Sequence, residues 1–444
     1  MVAAASLLHE QSVSKTVTKN LVDRDAAAFF HQKGSSPCIS ALRAAEGIWL
    51  EDVDGRRFID LHGNTVHHIG HRHPEVVAAV KRQLEMLPFS PRRFTNEPAV
   101  ALAEKLLSRW PGPPAKVLFA TGGSDAIEIS LKLARVATGR HETISLEGCY
   151  HGHGFGAFGL SEARPDTRLG PLLPGRWHAT PYWVPDRGPE LMLEDMRRAF
   201  AQSDGGIGAV IAEPIRSNCQ VPPAGLWQEV RRLCDQHGAL LIFDEIPSGL
   251  GKTGRFFAFE HVGAVPDAVV LGKGLGGGIL PIAAVIADAR FNVAPELDLG
   301  HYTHEKNPLT ALAALTTIEI IERDGLVERA AELGTRIIER IDELARQTPS
   351  IIGVRGRGLL LAVEFDPAVC EMTAGPEFTA RLVSACMAEG LSTTGKGDSS
   401  IGLSLPMTVT DAELDLAFEK LERAAGVVQS TSAAPASETS IGLA

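Results

Sequence analysis

The stretch ALLIFDEIPSGLGKTGRFFAFEHVGAVPDAVVLGK, Ala239 to Lys273, holds two short apolar runs that each end in charged residues. ALLIFDE (Ala239–Glu245) and DAVVLGK (Asp267–Lys273) read as buried strands, too short for helices and rich in β-branched or large apolar side chains. Working outward toward the N-terminus, KVLFA (Lys116–Ala120), ETISLEG (Glu142–Gly148) and GAVIAEP (Gly208–Pro214) are runs of the same kind, with helical segments between them. Strands that alternate with helices imply an α/β fold whose mainly parallel sheet is covered on both faces.

The flanks read differently. GIWLEDVDGRRFIDLHG (Gly47–Gly63) is a hairpin turning at Asp54-Gly55. Helical stretches follow from Pro74 to Leu87 and from Pro98 to Trp110, and a long helical region runs from Asn307 to about Thr348. GVRGRGLLLAVEF (Gly353–Phe365) and IGLSLP (Ile401–Pro406) then suggest a smaller α+β domain. The expected organisation is a flexible lead over 1–20, an N-terminal segment over 21–75 that joins the small domain, a large domain over 76–325, the C-terminal small domain over 326–426 and a disordered tail over 427–444.

Composition narrows the function. The 444 residues carry 43 Lys plus Arg against 54 Asp plus Glu, a formal charge of −11. Such a net anion is a poor partner for nucleic acid or anionic membrane surfaces. Six cysteines are scattered with no CxxC pair, which fits reduced thiols and argues against a zinc ribbon. No signal-peptide pattern opens the chain, and no apolar run approaches the length of a membrane span. A cytoplasmic location is expected.

Four motifs carry chemistry. Lys273 stands at the end of a buried strand before a run of glycines; desolvation lowers an amine's pKa and makes it a candidate nucleophile, the alternative being a lysine at a solvent-facing loop tip. Asp244 ends another apolar strand, where it could hold a pyridinium N–H, cap the next helix or ligate a metal. FATGGSDAIEISLKLAR (Phe119–Arg135) is strand, glycine turn and helix, so the N–H groups of Gly123 and Ser124 could hold an anion or simply open a capped helix. CYHGHG (Cys149–Gly154) puts Tyr150 at a strand end, where its ring could stack on a planar cofactor or pack in the core. GLGKTG lacks the G-x-x-x-x-G-K-[ST] spacing of a P-loop.

In this order the motifs resemble the class III (fold type I) pyridoxal-phosphate-dependent aminotransferase family. The resemblance runs from about Gly47 to Ala425 and includes GHRHP (Gly70–Pro74), AEP (Ala212–Pro214), NPL (Asn307–Leu309) and RGRGLLLAVEF (Arg355–Phe365). It implies a large domain built on a mainly parallel sheet, a small α+β domain formed by the N- and C-terminal segments, and pyridoxal 5'-phosphate as cofactor. By the same resemblance Lys273 bonds to the cofactor and moves the proton, Asp244 pairs with the ring nitrogen, Tyr150 covers the ring, and Gly123 and Ser124 bind the phosphate. Glu213 lies near the ring oxygen, and Thr303 reaches the phosphate from a neighbouring subunit. A homodimer is implied, with a tetramer open. His62, His67, His68, His71 and His73 are read as a hydrogen-bonded loop, with no metal expected.

One departure bears on the substrate. In common members an arginine before a PPL-like turn grips the substrate carboxylate; here Gly402 falls at that place. Arg92 and Arg93 in PFSPRRFTN (Pro88–Asn96) are the candidate anion ligands, or else two surface arginines. AFFHQKGSSPC (Ala28–Cys38), HGNTVHHIGHRHP and LPFSPRRFTN together look most like the branch that releases ammonia from (R)-1-hydroxy-2-aminoethylphosphonate. An ω-aminotransferase acting on an amine or β-amino acid is the alternative, and a non-catalytic cofactor-binding scaffold the rival.

Overall fold

The computed structural model describes residues 17–32, 38–161 and 166–430. Strands β1 (Leu42–Glu46), β2 (Trp49–Asp52) and β3 (Arg57–Asp60) form an antiparallel meander, with the Asp54-Gly55 turn between β2 and β3. A seven-stranded sheet follows, built from β4 (Ala115–Ala120), β5 (Glu142–Leu146), β6 (Arg176–Ala179), β7 (Ile207–Ala212), β8 (Leu240–Asp244), β9 (Ala268–Leu271) and β10 (Ala283–Asp288). Its order is β4-β10-β9-β8-β7-β5-β6. From β9 to β6 the neighbours run parallel, while β10 runs against both β9 and β4.

Burial on both faces explains the apolar runs. Leu241 and Phe243 of β8 pack into one core with Leu271 and Trp227, whereas Leu240 and Ile242 point into the opposite one with Val270 and the helix Gly123–Thr138. Successive side chains of a strand point to opposite faces, so a strand covered on both sides has no position left for a polar residue. Charge is therefore pushed to the strand ends.

The last part of the chain supplies β11 (Ile351–Arg357), β12 (Leu360–Phe365), β13 (Leu391–Ser392) and β14 (Ser400–Leu403). β12 pairs with β11 and β14, and β13 adds in parallel to β3, which ties the C-terminal segment to the N-terminal meander. The architecture is α/β, with a large mainly parallel sheet and smaller mixed layers from the two ends of the chain.

The structure differs from the expectations in detail. β6 and β10 were not among the strand candidates. The helical region after Asn307 is two helices, Pro308–Arg323 and Leu326–Gln347, broken at Asp324 and Gly325. Residues 17–20, read as flexible, begin a helix over 17–28 that half-buries Thr18, Leu21, Val22, Asp25 and Ala26 along one face. Helix Asp411–Ser430 likewise runs into the expected tail. The other residues of the lead and tail, 1–16 and 431–444, lie outside the described residues. Among the described residues no helix is long and apolar enough to cross a membrane.

Candidate active site

The carboxyl ends of the parallel strands converge on one cavity, the usual ligand crevice of an open α/β sheet. Glu213 follows β7, Asp244 ends β8, Lys273 follows β9, Tyr150 lies beyond β5, and Gly123 and Ser124 open the helix after β4. Together with His151, Gly152, Ser217, Ile246 and Pro247 they line a space of about 190 Å³. Six of the nine site residues expected from sequence thus share one wall-to-wall cavity.

Each is held by local structure. Lys273 adopts a left-handed backbone, φ 47°, which costs a residue with a Cβ about 1–2 kcal/mol. Behind it the turn is buried at Gly274 and Gly276, and a Cβ at 274 would lie 2.4 Å from His68 Nδ1. Burial lowers its pKa, against the opposing pull of Glu213 and Asp244. At the helix Gly123–Thr138 the N-cap is Gly122, with no side chain closing the first turn. Its first N–H groups are therefore presented with the positive end of the helix dipole. Gly152 sits against this turn at φ 107°: a Cβ there would lie 2.4 Å from Ser124 Oγ.

Asp244 is fixed twice. Oδ1 accepts from the Ile246 N–H at 3.1 Å, and Oδ2 accepts from His151 Nδ1 at 2.8 Å. Burial works against an imidazolium at His151, but the hydrogen bonds and charges of Asp244 and Cys149 together outweigh it and raise the pKa to about 10. In the sequence, His151 shows only as a histidine directly after the aromatic of CYHGHG, at a buried strand end. Glu213 is buried, accepts from the Ser217 N–H at 3.0 Å, and pairs with Arg216. Burial raises its pKa, and Arg216 with His151 more than reverses the effect. Arg216 also caps the Gly148 carbonyl and stacks 5.0 Å over Trp183.

Arg92, Arg93 and Thr303 lie outside this cavity. Arg92 is ion-paired with Asp298 and Glu305 at 3.2 Å each and lines a separate space of about 660 Å³. Arg93 and Thr303 are exposed. Within one chain, then, Arg92 is engaged elsewhere, by partners more than two hundred residues away in sequence, and Arg93 faces solvent.

In the histidine loop Asp60 is the hub of the hydrogen bonds, while Nδ1 of His67, His68 and His73 is buried without a partner. Asp60, His67 and His71 bring ligand atoms within 4.8 Å of one another. His71 Nε2 donates to Asp60 Oδ2 at 2.8 Å, and the His62 and Gly63 N–H groups donate to Oδ1 at 3.0 and 2.8 Å. Burial opposes ionisation of Asp60, yet these donors hold its pKa at about 2.

The donor set suits a planar, phosphorylated pyridine aldehyde. Open helix N–H groups meet a phosphate, a fixed carboxylate meets a protonated ring nitrogen, an aromatic face lies alongside, and a desolvated amine meets the aldehyde carbon.

The chain matches the family described as aminotransferase class-III over residues 30–425. It is 36% identical over 438 residues to the (R)-1-hydroxy-2-aminoethylphosphonate ammonia-lyase of Vibrio splendidus, covering 93% of this chain and 91% of that one. It is 37% identical over 422 residues to the diaminobutyrate–2-oxoglutarate aminotransferase of Rhizobium meliloti, covering 87% and 89%. Among solved structures, an amine transaminase from an uncultivated Pseudomonas species in a PLP-bound form superposes with a TM-score of 0.80 at 28% identity, over 90% of this chain and 99% of that one.

Proposed function

The chain belongs to the class III aminotransferase family, and from that premise we propose that it is a pyridoxal-phosphate-dependent lyase releasing ammonia from (R)-1-hydroxy-2-aminoethylphosphonate. The observation that carries the reading is the likeness, over nine-tenths of both chains, to the Vibrio enzyme of that activity. Gly402, where the resemblance puts a carboxylate-gripping arginine in transaminases, supports it.

Pyridoxal 5'-phosphate would supply an electron sink for the pair left on the amine-bearing carbon. Gly123 and Ser124 would hold its phosphate and Tyr150 its ring. Asp244, itself anchored by His151, would keep the ring nitrogen protonated, and Glu213 would lie toward the ring oxygen. Lys273 takes the proton from the amine-bearing carbon as a general base, its burial shifting the amine toward the unprotonated form. The C–O bond to the neighbouring hydroxyl then breaks, the oxygen leaving with a proton as water. The resulting enamine tautomerises to an imine; water adds to it, giving phosphonoacetaldehyde and ammonia. No oxo acid is consumed.

A homodimer completes the site: Thr303, on an exposed turn, reaches the phosphate bound by the partner subunit. Leu84, Met86, Phe94, Val100, Leu118 and Leu297 are exposed apolar side chains that such an interface would cover.

The likeness to the Rhizobium enzyme favours a second reading, an ω-aminotransferase. Supplying the aminophosphonate with and without 2-oxoglutarate, and measuring ammonia and aldehyde, separates the two. The lyase forms both products without the oxo acid; the transaminase releases no ammonia.

A further inference from the structure

Between β13 and β14 a loop returns to the mouth of the cavity and carries Lys396. Its ammonium donates to the carbonyl of Ser217 at 2.9 Å, and Ser217 lines the same cavity as Lys273. Arg355 holds the loop in place: it donates to the Lys396 carbonyl at 2.6 Å, the Ser400 hydroxyl at 2.9 Å and the Asn218 carbonyl at 3.3 Å, and pairs with Glu364 at 2.6 Å. Gly402 on β14 faces the lysine stem. A Cβ at 402 would lie 3.0 Å from Lys396 Cε and 3.5 Å from Cγ. The lysine therefore runs through space that any side chain at 402 would claim. An ammonium has three donors, so the Ser217 bond leaves it capacity for a ligand. Behind burial, its charge contributes to lowering the pKa of both Lys273 and His62, which places it within electrostatic reach of both.

We propose that Lys396 is the cation that receives the substrate's anionic head group beside Lys273. That the head group is a phosphonate rests on the lyase reading above. A compact ammonium suits a tetrahedral dianion approached from several directions, whereas a planar carboxylate is best matched by the fork of a guanidinium. Glycine at 402 and lysine at 396 are then two parts of one device, the first making room for the second.

The test titrates the holoenzyme with ethylphosphonate, which has no amine to react, and in parallel with propionate, by calorimetry. Lys396→Met is expected to weaken ethylphosphonate binding about tenfold or more, the scale of one charge-assisted contact. Lys396→Arg keeps most of the affinity, and Gly402→Ala, which crowds the stem, loses part of it. For the aminophosphonate itself, Lys396→Met raises KM with kcat little changed. Wild-type affinity in Lys396→Met, or a loss in Arg92→Ala with none at Lys396, overturns the assignment. If the wild type turns over the aminophosphonate and Lys396→Met is unaffected, this inference falls and the lyase reading stands. If the wild type binds propionate through Lys396 and ignores ethylphosphonate, the lyase reading falls and Lys396 keeps its place as the head-group cation.

Discussion

Replacing Asp244 by Asn tests the buried pair on which the cofactor end of the site depends. The amide keeps the shape and can still accept from the Ile246 N–H, but it no longer stabilises an imidazolium at His151. With the His151 pKa raised from 6.5 to about 10 in the fold, protonation favours the native state below the unfolded value, and that stability is lost as pH rises through about 10. At 1.36 kcal/mol per pKa unit the whole shift is worth about 4–5 kcal/mol at pH 6, about 3 at pH 8 and almost nothing at pH 10, and because Cys149 also raises this pKa these figures are the upper bound on what Asp244→Asn removes. Both groups are almost fully buried, so solvent screening removes little of it. The first figure agrees with the ~3–5 kcal/mol typical of breaking a buried ion pair. Urea denaturation of cofactor-free wild type and Asp244→Asn at these three pH values reads the difference directly. The gap should close as pH rises toward 10. A gap that stays constant with pH, or one under about 1 kcal/mol at pH 6, would show that His151 is not held as a cation by Asp244.

Other substitutions probe the remaining walls of the cavity. Lys273→Ala should abolish turnover and the absorbance of the covalently held cofactor while the fold persists by circular dichroism; near-wild-type rates would remove the central role given to this amine. Gly152→Ala sets a Cβ 2.4 Å from Ser124 Oγ at φ 107° and should weaken cofactor binding about tenfold or more in equilibrium dialysis, by strain on the phosphate turn; unchanged affinity would mean that this turn does not hold the phosphate. In the catalytic assay Asp244→Asn should slow turnover far beyond threefold, since threefold is only about 0.65 kcal/mol of barrier.

Much of the large sheet was legible because its physics is local. A strand buried on both faces has to be apolar throughout and to carry its charge at the end, so Asp244 and Lys273 announce both the strands and the cavity. β10 is less legible: AAVIAD follows a glycine run across ILPI (Ile279–Ile282), a stretch that looks like loop, and its reversed direction is a tertiary fact. RWHA (Arg176–Ala179) shows no apolar run at all; its pairing with β5 at the sheet edge makes it a strand. His151 escaped notice because its role depends on Asp244, distant in sequence. Arg92 and Arg93 attracted attention as a charged pair, but Asp298 and Glu305, which engage Arg92, are visible only after folding. Lys396 lies in STTGKGDSS (Ser392–Ser400), a stretch that reads as an ordinary polar loop until Ser217 and Gly402 are brought beside it.

The most direct measurement of the central claim is the number of turnovers per subunit on (R)-1-hydroxy-2-aminoethylphosphonate in the strict absence of any oxo acid. The account predicts continuous release of ammonia and phosphonoacetaldehyde in equal amounts, far beyond one equivalent of enzyme. A halt after a single equivalent, with activity restored only by pyruvate or 2-oxoglutarate, would contradict it and make the protein a transaminase.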